Sequence, residues 1–153
     1  MSPSGLEVLR MYELSQSREK RAKELEISIL TAGLNAMNTG DIAMVDTLAR
    51  TILSSQPSNP DALHLLGLAN FQNGKVEEAI NLLQLSIKVR PDSVMTVNDL
   101  GIIYRSIGQN DIAADYFKKA IAINPDYELA KQNLEELEQG AKEPDFKNHI
   151  MSF

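Results

Sequence analysis

The chain has 153 residues, enough for one domain with a continuous core, and it carries no cysteine, which excludes disulfides, thiolate metal sites and a Cys nucleophile. A net charge of −6 opposes general affinity for nucleic-acid phosphates or anionic lipid. Hydrophobic residues make up 43% and aromatic ones only 5%, with no Trp, so the core is expected to be built from small and medium side chains.

Residues 1–25 form an amino-terminal extension. Leu6, Val8, Leu9, Met11, Tyr12 and Leu14 crowd its first half, and the second half, SQSREKRAKE, is polar and helix-favouring. It lacks the basic flank and long apolar stretch of a secretory signal, so a cytoplasmic protein is expected. No apolar run approaches the ~20 residues a membrane span needs, so no membrane insertion is expected. The extension reads as a helix leading into the first repeat. The plainest role for it is a cap over that repeat; filling a groove and pairing with a second copy are the alternatives.

From residue 26 the chain repeats itself. Pro57, Pro91 and Pro125 are spaced 34 residues apart, and so are Gly40, Gly74 and Gly108, and Gly33, Gly67 and Gly101. This period is that of a helix–turn–helix unit that stacks into a solenoid. The units run 26–59, 60–93 and 94–127. Each reads as a helix A and a helix B, with a turn at Gly40, Gly74 or Gly108 and a stop at the proline. Asn59-Pro60-Asp61 has the form of an N-cap, a Pro at the first helical position and an acidic first turn. Residues 128–140 follow as an apolar-striped helix, with Leu129, Ala130, Leu134 and Leu137 covering the last repeat and Gly140 ending it. In the tail, 141–153, Phe146, Ile150 and Phe153 share one face of a short helix, which could serve as a built-in groove ligand.

These units resemble the tetratricopeptide repeat. The third carries Leu100-Gly101, Tyr104, Gly108, Ala113, Phe117, Ala120 and Pro125. The second has Leu66-Gly67, Gly74, Ala79, Leu83 and Pro91, with Asn70 and Ser86 in place of the usual Tyr and Ala. The first keeps Gly33, Gly40 and Pro57 but has Ala32, Ala36, Val45 and Ala49, and no unit has the family Trp, whose place is taken by Ile29, Leu63 and Val97. The resemblance implies an all-α, right-handed α-solenoid of three repeats with amino- and carboxy-terminal capping helices.

It also implies a concave groove lined by the A helices. Carried over residue by residue, the partner-binding positions are Leu30, Leu34, Met37 and Asn38, then His64, Leu65, Leu68 and Phe71, then Asn98, Asp99, Ile102 and Arg105. The apolar members would supply affinity and the polar ones register. The clamp by which some family members grip a peptide carboxylate needs Lys and Asn where Leu30, Leu34, Leu65, Met95 and Asp99 stand, which argues against chaperone-tail recognition.

No catalytic constellation is legible. His64 and His149 have no ligand-spaced partners, so no metal site is expected, and every glycine is explained by a turn, packing or a flank rather than a phosphate loop. No cofactor and no enzymatic activity are expected. The expected function is that of an adaptor or scaffold holding a helical or extended apolar peptide of a protein partner. A small chaperone for exported proteins is the alternative, as is a homo-oligomeric scaffold using residues 1–25 or 144–153 as groove ligands.

Overall fold

The computed structural model describes residues 4–142 as seven α-helices: α1 Gly5–Thr39, α2 Ile42–Ser55, α3 Pro60–Gln72, α4 Val76–Val89, α5 Val94–Ser106, α6 Asn110–Ile123 and α7 Glu128–Lys142. Each helix packs on the next in chain order; α1 also touches α3, and α5 touches α7. The described residues thus form an all-α solenoid of three helical hairpins closed by α7.

Local chemistry sets the boundaries. Gly40, Gly74 and Gly108 adopt φ of 77°, 76° and 77°, the left-handed conformation that ends each A helix, and they are the positive-φ residues of the described chain. The Asn59 carboxamide accepts from the Ala62 amide at 3.0 Å, with Pro60 in the first turn of α3, as the sequence suggests. Asp41 caps α2 by accepting from the Met44 amide at 3.1 Å. Pro57, Pro91 and Pro125 each fall just beyond the end of a B helix.

The hairpins are held together by glycine against bulk. A Cβ on Gly101 would lie 2.5 Å from the Phe117 ring, and one on Gly67 would collide with Leu83. Leu83 and Phe117 are fully buried. Full burial of such a side chain stabilises by about 1.5–3 kcal/mol. The first repeat reaches the same density differently. Ala49 stands where Leu83 and Phe117 stand in the other repeats, and Val45 replaces the alanines Ala79 and Ala113. Gly33 is met instead by Leu65 of the next repeat, whose side chain would lie 2.9 Å from a Cβ placed there. Ser86, in place of the usual Ala, is buried and donates to the Pro60 carbonyl at 2.8 Å.

Two expectations are corrected. The extension is helical but does not fold over the first repeat: it is continuous with helix A as a single 35-residue helix, and every residue from Ser4 to Leu25 is exposed. No glycine, proline or cap separates residues 25 and 26, so nothing stops the helix there. Gly140 does not end α7, which continues through Lys142, and Leu129 is exposed rather than part of the buried stripe. The carboxy-terminal cap otherwise stands, with Ala130 and Asn133 buried against α5 and α6. The tail face of Phe146, Ile150 and Phe153 lies outside the described residues.

Candidate functional site

Helices α1, α3 and α5 contribute to one face, and between them opens a pocket of about 150 Å³ lined by Leu30, Leu34, Asp61, His64, Leu65 and Met95. Leu34 and Met95 stand at its mouth, 47% and 48% exposed, whereas Leu65 is buried and forms its floor. Four of the expected groove residues, Leu30, Leu34, His64 and Leu65, therefore converge on one opening. Asp61 and Met95 were not among the expected binding positions. Their signal was nonetheless periodic: Ile27, Asp61, Met95 and Leu129 occupy one column of the 34-residue repeat. Three of that column are exposed and Asp61 is half-buried.

The remaining expected residues divide by a simple offset. A residue on one A helix meets the residue 35 positions later on the next. Leu30 packs against the cluster containing Leu65. His64 Nε2 lies 2.6 Å from Asp99 Oδ2, and Asn133 Nδ2 donates to Asn98 Oδ1 at 3.0 Å. Asn98 is completely buried, and its own Nδ2 has no partner. His64, read from sequence as a partner-binding residue, is thus a buried link between repeats, and Asn98 is another. A nearby crossing engages Arg105, whose Nη1 donates to Glu136 Oε2 at 3.2 Å, with its guanidinium 5.9 Å from the Phe117 ring centroid.

The apolar positions divide as well. Phe71 packs on the core between the second and third repeats, and Met37 on the core of the first. Leu68 and Ile102 are half-buried, and Asn38 is exposed. The continuous apolar strip Leu34–Met37–Leu65–Leu68–Phe71–Ile102 expected from sequence is therefore not one open surface, because neighbouring helices cover part of it. The accessible apolar edge is at Leu34 and Met95.

Acidic groups flank the pocket. Asp61 accepts two hydrogen bonds from Arg90, at 2.6 and 3.1 Å. Those bonds hold the Arg90 guanidinium above its ordinary pKa against a smaller opposing effect of burial. Asp99 is held by His64, and burial followed by the Asp99 charge raises the Tyr127 phenol. Among the described residues no three His, Asp or Glu side chains converge as metal ligands do, and no helix is long and apolar enough to cross a membrane.

Residues 60–126, the second and third repeats, match the tetratricopeptide repeat family. The second and third repeats are tetratricopeptide repeats. Among known proteins, the chain is 25% identical to the human PEX5-related protein over 95 residues, which is 62% of this chain and 15% of that one. The chain thus spans a small fraction of that relative. Of solved structures, an O-GlcNAc transferase from Thermobaculum terrenum (K341M mutant) superposes with a TM-score of 0.72 at 26% identity, covering 76% of this chain and 22% of the transferase. The first tetratricopeptide domain of RPAP3, solved with the HSP90 peptide SRMEEVD, has the same fold, with a TM-score of 0.67 at 14% identity over 76% of this chain and 92% of that one.

Proposed function

We propose that this tetratricopeptide stack is a protein-interaction adaptor that holds an apolar side chain of a partner segment in the Leu34–Met95 pocket. The observation that carries the reading is the opening itself. Three successive A helices leave about 150 Å³ of space lined by three leucines, Met95, Asp61 and His64, with two half-exposed apolar side chains at its edge. Burying an aliphatic or aromatic anchor there is worth about 1.5–3 kcal/mol before ordering costs. A helical or extended segment with an apolar face presents such an anchor. The reading is one of binding, not catalysis.

Charge limits which segment fits. Asp61 and Asp99 reach the groove already paired with Arg90 and His64, and Leu30, Leu34 and Leu65 provide no cation for a peptide carboxylate. An acidic tail such as the SRMEEVD peptide bound by RPAP3 is therefore disfavoured here, and a neutral apolar segment is favoured.

The test selects ligands from a phage-displayed random peptide library and titrates them against the wild type, Leu34→Glu and Met95→Glu. Both substitutions are at half-exposed positions, so the fold is expected to persist by circular dichroism. Selected peptides should share an apolar anchor and lose at least about tenfold in affinity, ~1.4 kcal/mol, to either variant, and SRMEEVD should not bind. Tight SRMEEVD binding, or peptides indifferent to both substitutions, would refute the pocket assignment.

A further inference from the structure

We infer that the anchor held in the Leu34–Met95 pocket is an aromatic side chain with its own hydrogen-bond donor, a tyrosine or a tryptophan, which rests on that pocket being the binding site. The three junctions between A helices use the same pair of repeat positions and fill them differently. Leu30 and Leu65 make the first junction apolar. At the third, Asn133 covers Asn98, which is completely buried. At the second, His64 joins Asp99 through Nε2 at 2.6 Å and also lines the pocket.

That link occupies only one ring nitrogen. Among the described residues Nδ1 has no hydrogen-bond partner, yet it is not walled off: the unpartnered side-chain nitrogen that is fully enclosed is Asn98 Nδ2. The two ring nitrogens point to different sides, so with Nε2 turned to Asp99, Nδ1 meets open space, and the opening that His64 lines is this pocket. A carboxylate only accepts, so Nε2 carries the proton of a neutral imidazole and Nδ1 is left an acceptor. Asp61 adds two more acceptor atoms, each already taking one bond from Arg90, which also balances the charge. Leu30, Leu34, Leu65 and Met95 complete the lining and donate nothing. The pocket is apolar in its body and holds only acceptors at its polar edge.

This lining discriminates among anchors. Leucine or phenylalanine fills the body but strips water from Nδ1 without replacing the bond, which is the costly case. A tyrosine hydroxyl or a tryptophan indole N–H fills the same space and donates. Lysine and arginine also donate. Arg90 and His64 already pair both nearby carboxylates, however, so nothing offsets burying a further charge among leucines.

Phage-displayed random peptides with a fixed central tyrosine or phenylalanine are selected on the full chain at about pH 8. The best binder of each library is synthesised with tyrosine, phenylalanine and 4-fluorophenylalanine at the centre, and each is titrated calorimetrically. On the wild type the tyrosine form should bind about tenfold more tightly than either of the others, since fluorine removes the donor with little change in size. In His64→Leu/Asp99→Leu, which copies the leucine pair of the first junction, that preference should vanish. Equal affinities across a series, all weakened by Leu34→Glu, overturn this inference and leave the pocket intact. A tyrosine preference that survives the double variant overturns it too, because His64 is then not its source. Peptides indifferent to Leu34→Glu overturn the pocket itself, and the inference with it. The fluorine comparison needs no variant, so it decides even where the double variant fails to fold.

Discussion

His64 Nε2 lies 2.6 Å from Asp99 Oδ2, so a short hydrogen bond joins the second repeat to the third. The imidazole is buried and the carboxylate partly so. Asp99→Ala would leave the buried ring nitrogen without its partner. The expected cost is about 1–3 kcal/mol, read as a lower urea midpoint with an unchanged slope. An unchanged midpoint would show that the bond contributes nothing to the junction.

One junction further on, Asn98 and Asn133 occupy the places that Leu30 and Leu65 hold at the first junction. Asn98→Leu alone leaves the buried Asn133 amide without its acceptor and should destabilise by about 1–3 kcal/mol. Adding Asn133→Leu should recover most of that loss, because two apolar groups leave no polar atom unpaired. Chemical denaturation of the wild type, the single and the double variant measures the recovery.

Two glycines should respond to alanine with opposite signs. At Gly101 the new methyl would meet three atoms of the buried Phe117 ring between 2.5 and 3.1 Å, and a rigid ring cannot yield. Gly101→Ala is expected to destabilise by about 1–3 kcal/mol. At Gly140, inside α7, nothing lies within 4 Å of a Cβ. Gly140→Ala should stabilise by up to about 1 kcal/mol through helix propensity, seen as a higher thermal midpoint.

Alkaline pH should loosen the stack. Burial raises the Tyr104 and Tyr127 phenols above their usual value near 10.0; the neighbouring Tyr116 adds to the first shift and the Asp99 carboxylate to the second. As pH climbs, the unfolded chain releases these protons first, so the folded state binds more protons and stability falls. The contribution is fully present below about pH 10 and is lost as pH rises through the higher folded-state values. The denaturation midpoint should decline above about pH 10, less steeply in Tyr104→Phe/Tyr127→Phe. Tyr104 stacks on Tyr116 at 5.4 Å with the rings 9° apart, and a phenylalanine preserves that contact.

The repeat architecture is legible in the chain because each unit solves the same packing problem. Gly67 must approach Leu83 and Gly101 must approach Phe117, and the turns at Gly40, Gly74 and Gly108 each need the same left-handed residue. Those needs recur every 34 residues, so the period, the hairpins and the capping α7 can be read from the residues alone. The binding positions are less legible. Leu34, Met37 and Phe71 look alike as apolar residues on A helices, and only the placement of the neighbouring helices leaves Leu34 open and covers Phe71.

The strongest divergence concerns offset and continuity. Residues 34 apart are equivalent, but residues 35 apart touch, because each A helix is both displaced and turned relative to the one before. That one-residue difference makes His64 a partner for Asp99 and Asn98 a partner for Asn133, and no pattern within a single repeat announces it. The 35 residues of α1 contain no break, so local chemistry already dictated one long helix. Tertiary packing decided how much of it is covered: α2 and α3 reach only its second half, and the apolar first half stays exposed.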